Sequence, residues 1–71
     1  MIPIILADKN QPHKVLKLAV EDKLRKHLEN LGLVPGVEID IISNSNGVII
    51  LKIKDGRVAI NNDLGNKIFV E

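Results

Sequence analysis

The residues of this chain that could do chemistry are two histidines, a pair of acids, two serines and one basic cluster. A transition-metal site needs several converging ligands, and imidazole is the best ligand available here. His13 and His27 stand far apart in sequence, and an isolated histidine more often packs or faces water than binds metal. Glu38 and Asp40 fall on one side of a strand and could hold a hard cation. Neighbouring acids on a strand ordinarily form its solvated face. Ser43 and Ser45 have no histidine beside them. The chain has no cysteine, which excludes a disulfide framework, a thiolate nucleophile and a thiolate metal site. It has no phosphate-cradling G-x-x-x-x-G-K-[ST] run. These residues make no nucleophile–base constellation, so neither enzyme activity nor a cofactor is expected, and no metal ligands are assigned.

Lys23, Arg25, Lys26 and His27 are the densest basic group. Such a group is either a solvated helix face or a surface that steers an acidic partner into contact. A nucleic-acid partner is not expected. The formal net charge is only +1 and Phe69 is the sole aromatic, so bases would find little to stack on. Glu21, Asp22 and Glu29 dilute the field further.

Something must position these groups, and the aliphatic pattern says what. The chain has 71 residues, with 11 Ile, 7 Val and 9 Leu, so it makes one domain, residues 1–71, rich in the β-branched side chains that suit a pleated sheet. Leu16, Leu18 and Val20 alternate, which predicts a strand from His13 to Val20. Asp22 suits a helix N-cap. Leu24, Leu28 and Leu31 then recur at helical spacing. Gly32 sits where a left-handed residue stops a helix, with Leu33 placed to pack back on Leu28. Pro35-Gly36 suits the centre of a type II turn.

Val37, Ile39 and Ile41 alternate with Glu38 and Asp40 as a half-buried strand. Asn44 to Gly47 reads as a hairpin loop, and Asp55-Gly56 as a second hairpin. Ile49, Leu51 and Ile53 share one face between them; Val58 and Ile60 follow. Residues 61–66 form a polar break with room for one helical turn. Ile68 and Val70 end the chain with a strand. The expected core is Leu18, Leu24, Leu28, Leu31, Leu33, Val37, Ile39, Ile41, Ile49, Leu51, Ile53, Val58, Ile60, Ile68 and Val70. This pattern gives five short strands with one helix between the first and second, and a sheet so small must curl into a barrel to cover its apolar face. The same phase turns Val48, Ile50 and Phe69 outward. Exposed apolar groups that lie together mark a partner surface, unless Met1 to Leu6 covers them as a lid or edge segment. The run Ile2 to Ala7 is too short for a membrane span and lacks a basic leader, so membrane insertion and a signal peptide are not expected. The lack of cysteine suits a reducing cytoplasm.

The corner Leu31-Gly32-Leu33-Val34-Pro35-Gly36, followed by Val37-Glu38-Ile39, Val58-Ala59-Ile60-Asn61 and Ile68-Phe69-Val70, resembles the FeoA domain over nearly the whole chain. The chain departs from that pattern where family members carry a glycine before the first strand, here Asn10-Gln11-Pro12. It departs again where they carry several arginines entering the helix, here Lys23, Arg25 and Lys26. The resemblance implies an SH3-like barrel. It also implies an accessory role beside a membrane ferrous iron transporter with a cytoplasmic GTPase domain. The fold also serves iron-dependent repressors of the diphtheria toxin repressor type, but no winged-helix region is present. The expected protein is thus a cytoplasmic, monomeric, non-enzymatic adapter that docks on the transporter's cytoplasmic domain through Lys23, Arg25, Lys26, Val48, Ile50 and Phe69. The alternatives are a small sensor or carrier that binds a transition-metal ion, and an SH3-like RNA-binding module. Weak or absent metal binding is expected for the isolated chain. Saturable submicromolar ferrous or zinc binding, lost in a His13→Ala, His27→Ala double variant, would overturn that.

Overall fold

The computed structural model describes residues 1–54 and 56–71. Its strands are β1 (Ile2–Pro3), β2 (Pro12–Leu18), β3 (Glu38–Ser45), β4 (Val48–Ile53), β5 (Gly56–Asn61) and β6 (Ile68–Val70). Helix α1 (Asp22–Asn30) joins β2 to β3, and the one-turn helix α2 (Asn62–Gly65) joins β5 to β6. The strands form one antiparallel sheet in the order β1-β6-β2-β3-β4-β5. The expected five-stranded closed barrel is therefore corrected to six strands in an unclosed sheet. The sixth is β1, which pairs Ile2 with Val70 and Pro3 with Phe69. A 3-10 turn over Ile4–Leu6 follows β1 and drives Ile4 fully into the core. The amino-terminal run is thus an edge strand and a core plug, and α1 lies between the second and third strands.

The helix stop forms as its residues dictate. Gly32 takes φ +105°. The Leu33 amide donates to the Leu28 carbonyl at 3.0 Å, and the Gly32 amide to the Glu29 carbonyl at 3.0 Å. These two bonds are the Schellman pair, and they satisfy carbonyls that the helix would otherwise leave open. Leu28 and Leu33 are both buried. Gly36 takes φ +98°, and the Val37 amide donates to the Val34 carbonyl at 3.0 Å, closing the type II turn. The Gly36 amide donates to Val15 and the Val15 amide donates to Val37, at 2.7 and 2.8 Å, which stitches this corner to β2.

Three local expectations are corrected. Glu21, not Asp22, is the N-cap residue, and no side chain caps the helix; Asp22 instead pairs with Arg25 one turn on. Leu31 is 41% exposed because the helix ends before it. In β2 the register slips between Val15 and Lys17. That bulge places Val15 and Leu18 inward and leaves Leu16 exposed, so the alternation of Leu16, Leu18 and Val20 does not hold. The Asp55-Gly56 hairpin expectation involves Asp55, which lies outside the described residues.

The core otherwise follows the aliphatic pattern. Leu18, Leu28, Leu33, Ile39, Ile41, Ile49, Leu51, Ile53, Ile60, Ile68 and Val70 are buried, while Leu24, Val37 and Val58 pack half-buried against them. Ile4 and Val15 join them. The hairpin loop shrinks to Asn46 and Gly47, both at positive φ, with Ser45 paired to Val48. The expected helical turn after Ile60 is α2, where the Leu64 amide donates to the Asn61 Oδ1 at 2.8 Å. Gly65 lets α2 lie against β4: a Cβ there would come within 2.6 Å of Ile49 Cδ1.

Gly32→Ala is expected to destabilise by about 1–2 kcal/mol, since its Cβ meets both the positive φ and Ile53 Cδ1 at 2.9 Å. Unchanged thermal stability would contradict the corner as described. Leu28→Ala and Leu51→Ala should each cost about 2–5 kcal/mol, and a melt showing no loss for both would contradict the core.

Candidate functional site

Residues opposite one another on neighbouring antiparallel strands share a face. The register therefore lays three rows across the outer face of β3, β4 and β5. Asp40, Lys52 and Arg57 form the first; Ser43, Ile50 and Ala59 the second; Ser45, Val48 and Asn61 the third. One end of this face is charged; the rest is uncharged, with Ile50, Ala59 and Val48 among Ser43, Ser45 and Asn61. Val48 is 44% exposed, Ala59 is exposed and Ile50 is half-buried. Lys52 and Arg57 stand directly opposite each other, and like charges so placed repel. Asp40 flanks Lys52 on the far side.

The sequence-derived contact residues do not converge on one patch. Val48 and Ile50 share the outer face. Phe69 lies on β6, with β2 and β3 between it and β4, a separation of roughly 14 Å along the sheet at strand spacing. There it is half-buried, opposite Pro3 on one side and Lys17 on the other. The amino-terminal segment thus pairs with the strand of Phe69 and leaves Val48 exposed. Lys23 and Lys26 are exposed on α1, and Arg25 is half-buried and held by Asp22.

Leu24 of α1 lines a groove of about 360 Å³ with Ala59, Ile60 and Asn61 of β5, Asp63 and Leu64 of α2, and Lys67. The groove brings the helix to the free edge of β5. Sequence reasoning did not find it, because it depends on where β5 ends up in the sheet order. The like-charged pair of Lys52 and Arg57 was not legible either: a two-residue loop at Asp55-Gly56 would set Lys54 opposite Arg57, whereas Gly56 lies in β5 opposite Ile53 and Lys52 takes that place.

The candidate metal ligands stay apart. His13 is buried in β2, where its Nε2–H donates to the Asp8 carbonyl at 2.8 Å and its Nδ1 lies 3.3 Å from the Glu71 carbonyl. Both ring nitrogens thus face backbone oxygens, which ties the loop before β2 to the end of β6. His27 is exposed on α1. Glu38 and Asp40 share a shallow depression with Lys52 and Lys54, whose ammonium groups offset the acids. Among the described residues no three of His, Asp and Glu gather as a cation site, and no helix is long and apolar enough to cross a membrane.

No curated protein matches the chain in sequence. Among solved structures it is similar to an iron uptake regulatory protein (FeoA), with 26% identity and a TM-score of 0.84 over 99% of this chain and 93% of that one. It is also similar to iron(II) transport protein A from Clostridium thermocellum, with 25% identity and a TM-score of 0.88, where it spans 99% of its own length and 44% of that chain. The FeoA protein from Chlorobium tepidum shares the fold at 18% identity, with a TM-score of 0.89 over 99% of this chain and 69% of that one. The model of the FeoA domain matches residues 5–71, which takes in both the glycine corner and the outer face, and on that match the chain belongs to the FeoA family.

Proposed function

We infer that this protein is a non-enzymatic accessory of ferrous iron transport, which works in the cytoplasm by docking to the cytoplasmic, GTPase-bearing part of the iron transporter. The observation that carries this reading is the match of the FeoA domain to nearly the full chain. The link of that family to iron transport, and the likeness to a protein named iron(II) transport protein A, supply the context. Docking requires a surface, and the outer face of β3, β4 and β5 offers one: Val48 and Ile50 as apolar anchors, with Lys52 and Arg57 at one end. Apolar anchors supply affinity and rim charges supply approach rate. Lys23, Arg25 and Lys26 lie on α1, apart from the Lys52 and Arg57 end, and would make a separate basic contact. Phe69 stands outside this face and has the weakest claim to contact.

The expected result of mixing the labelled chain with the transporter's cytoplasmic domain is a set of NMR shift changes centred on Val48 and Ile50. Val48→Asp should weaken binding by about tenfold or more while leaving thermal stability within about 0.5 kcal/mol, because Val48 is exposed. Unchanged spectra at high micromolar partner would refute docking there. Shift changes confined to other residues would keep the partner and discard this surface.

A further inference from the structure

The geometry points to a second binding element: the open edge of β5 is a receptor for an extended peptide strand in which acidic and apolar residues alternate. The two ends of the sheet differ. At one end β1 has only two residues, one of them Pro3, and short edges with proline resist further pairing. At the other end β5 has six residues, none of them proline, and pairs with β4 alone.

The register says which backbone groups that edge presents. Ser45 and Val48 are the pair that closes the two-residue loop, so Val48, Ile50 and Lys52 turn their amides and carbonyls toward β3. By alternation Ile49, Leu51 and Ile53 turn theirs toward β5, where their partners are Ile60, Val58 and Gly56. Arg57 and Ala59 therefore turn their amides and carbonyls to the open side. A strand is the occupant whose own backbone matches such a row of donors and acceptors.

Side chains set its chemistry. On the inner side, an arriving residue would meet the groove lined by Leu24, Ile60 and Leu64, which suits an apolar side chain. On the outer side it would lie beside Arg57, which already faces Lys52. An acid there relieves the like-charge pair. Among the described residues the ion pairs are Lys14–Glu71 and Asp22–Arg25, and neither involves Lys52 or Arg57. Asp63 and Lys67 also line the groove, one acid and one base, so it adds no net charge and the acid preference rests on Arg57. The inference holds whichever protein supplies the strand, so its failure would leave the transport reading standing.

Two measurements test it. In amide hydrogen exchange on the intact protein, Val58 and Ile60 should be protected and Arg57 and Ala59 should exchange freely. Protection of Arg57 and Ala59 in the free monomer would overturn the open edge. In the second, a blocked peptide in which Val alternates with Glu is titrated to millimolar concentration. Shift changes should centre on Arg57 to Asn61, Leu24 and Leu64. N-methylating the peptide amides should weaken binding by about tenfold or more. Ala59→Pro removes an edge amide without removing a bond to β4, so it should melt near the parent and bind the peptide as weakly. The N-methyl comparison on the parent chain decides the matter even if that variant does not fold. No shifts at millimolar peptide, or binding indifferent to N-methylation, would overturn the proposal.

Discussion

The fold depends on how the chain leaves its helix. Between Leu28 and Val37 it must reverse direction, send Leu33 into the core and start β3 in register with β2. It does so with two residues at positive φ, Gly32 and Gly36, each closing a short hydrogen-bonded turn. The first turn returns Leu33 under Leu28, and both are buried. The second delivers Val37 so that Val15 can accept from Gly36 and donate to Val37. Helix, corner and β2 are thus hydrogen-bonded into one unit, from which the β3–β5 meander continues. A domain of this size buries only about 60% of its unfolded surface, so it has little margin to replace that unit.

Much of this was legible because the residues involved have narrow conformational options. Glycine after the last helical leucine, Pro-Gly at a corner and Asn-Gly in a loop each permit few backbones, and all three formed as expected. Strict alternation located Ile39 and Ile41, and Ile49, Leu51 and Ile53, on the core face. The reading failed where the backbone left its period. The bulge at Leu16 moved the inward phase to Val15 and Leu18, and nothing in the residue types there announces an extra residue. Ile4 was missed for a related reason, since a two-residue strand and a 3-10 turn are too short to show a period.

The candidate surface was legible only in its parts. Alternation along β4 identified Val48 and Ile50 as outward. Grouping Phe69 with them required knowing the sheet order, in which two strands intervene. Residues that do chemistry elsewhere have structural work here: both nitrogens of His13 face backbone oxygens. What the fold leaves exposed is a shape, namely a pleated outer face that grades from charged to uncharged, bounded by the free edge of β5 and the groove beneath α1. Such a shape suits recognition.

The central claim is that this chain serves ferrous iron transport through contact. The most direct test is ferrous iron uptake in cells from which the gene for this chain has been removed. The account predicts that uptake falls, returns with the wild-type chain and does not return with a folded Val48→Asp, Ile50→Asp variant. Uptake that is unchanged by the deletion would contradict it.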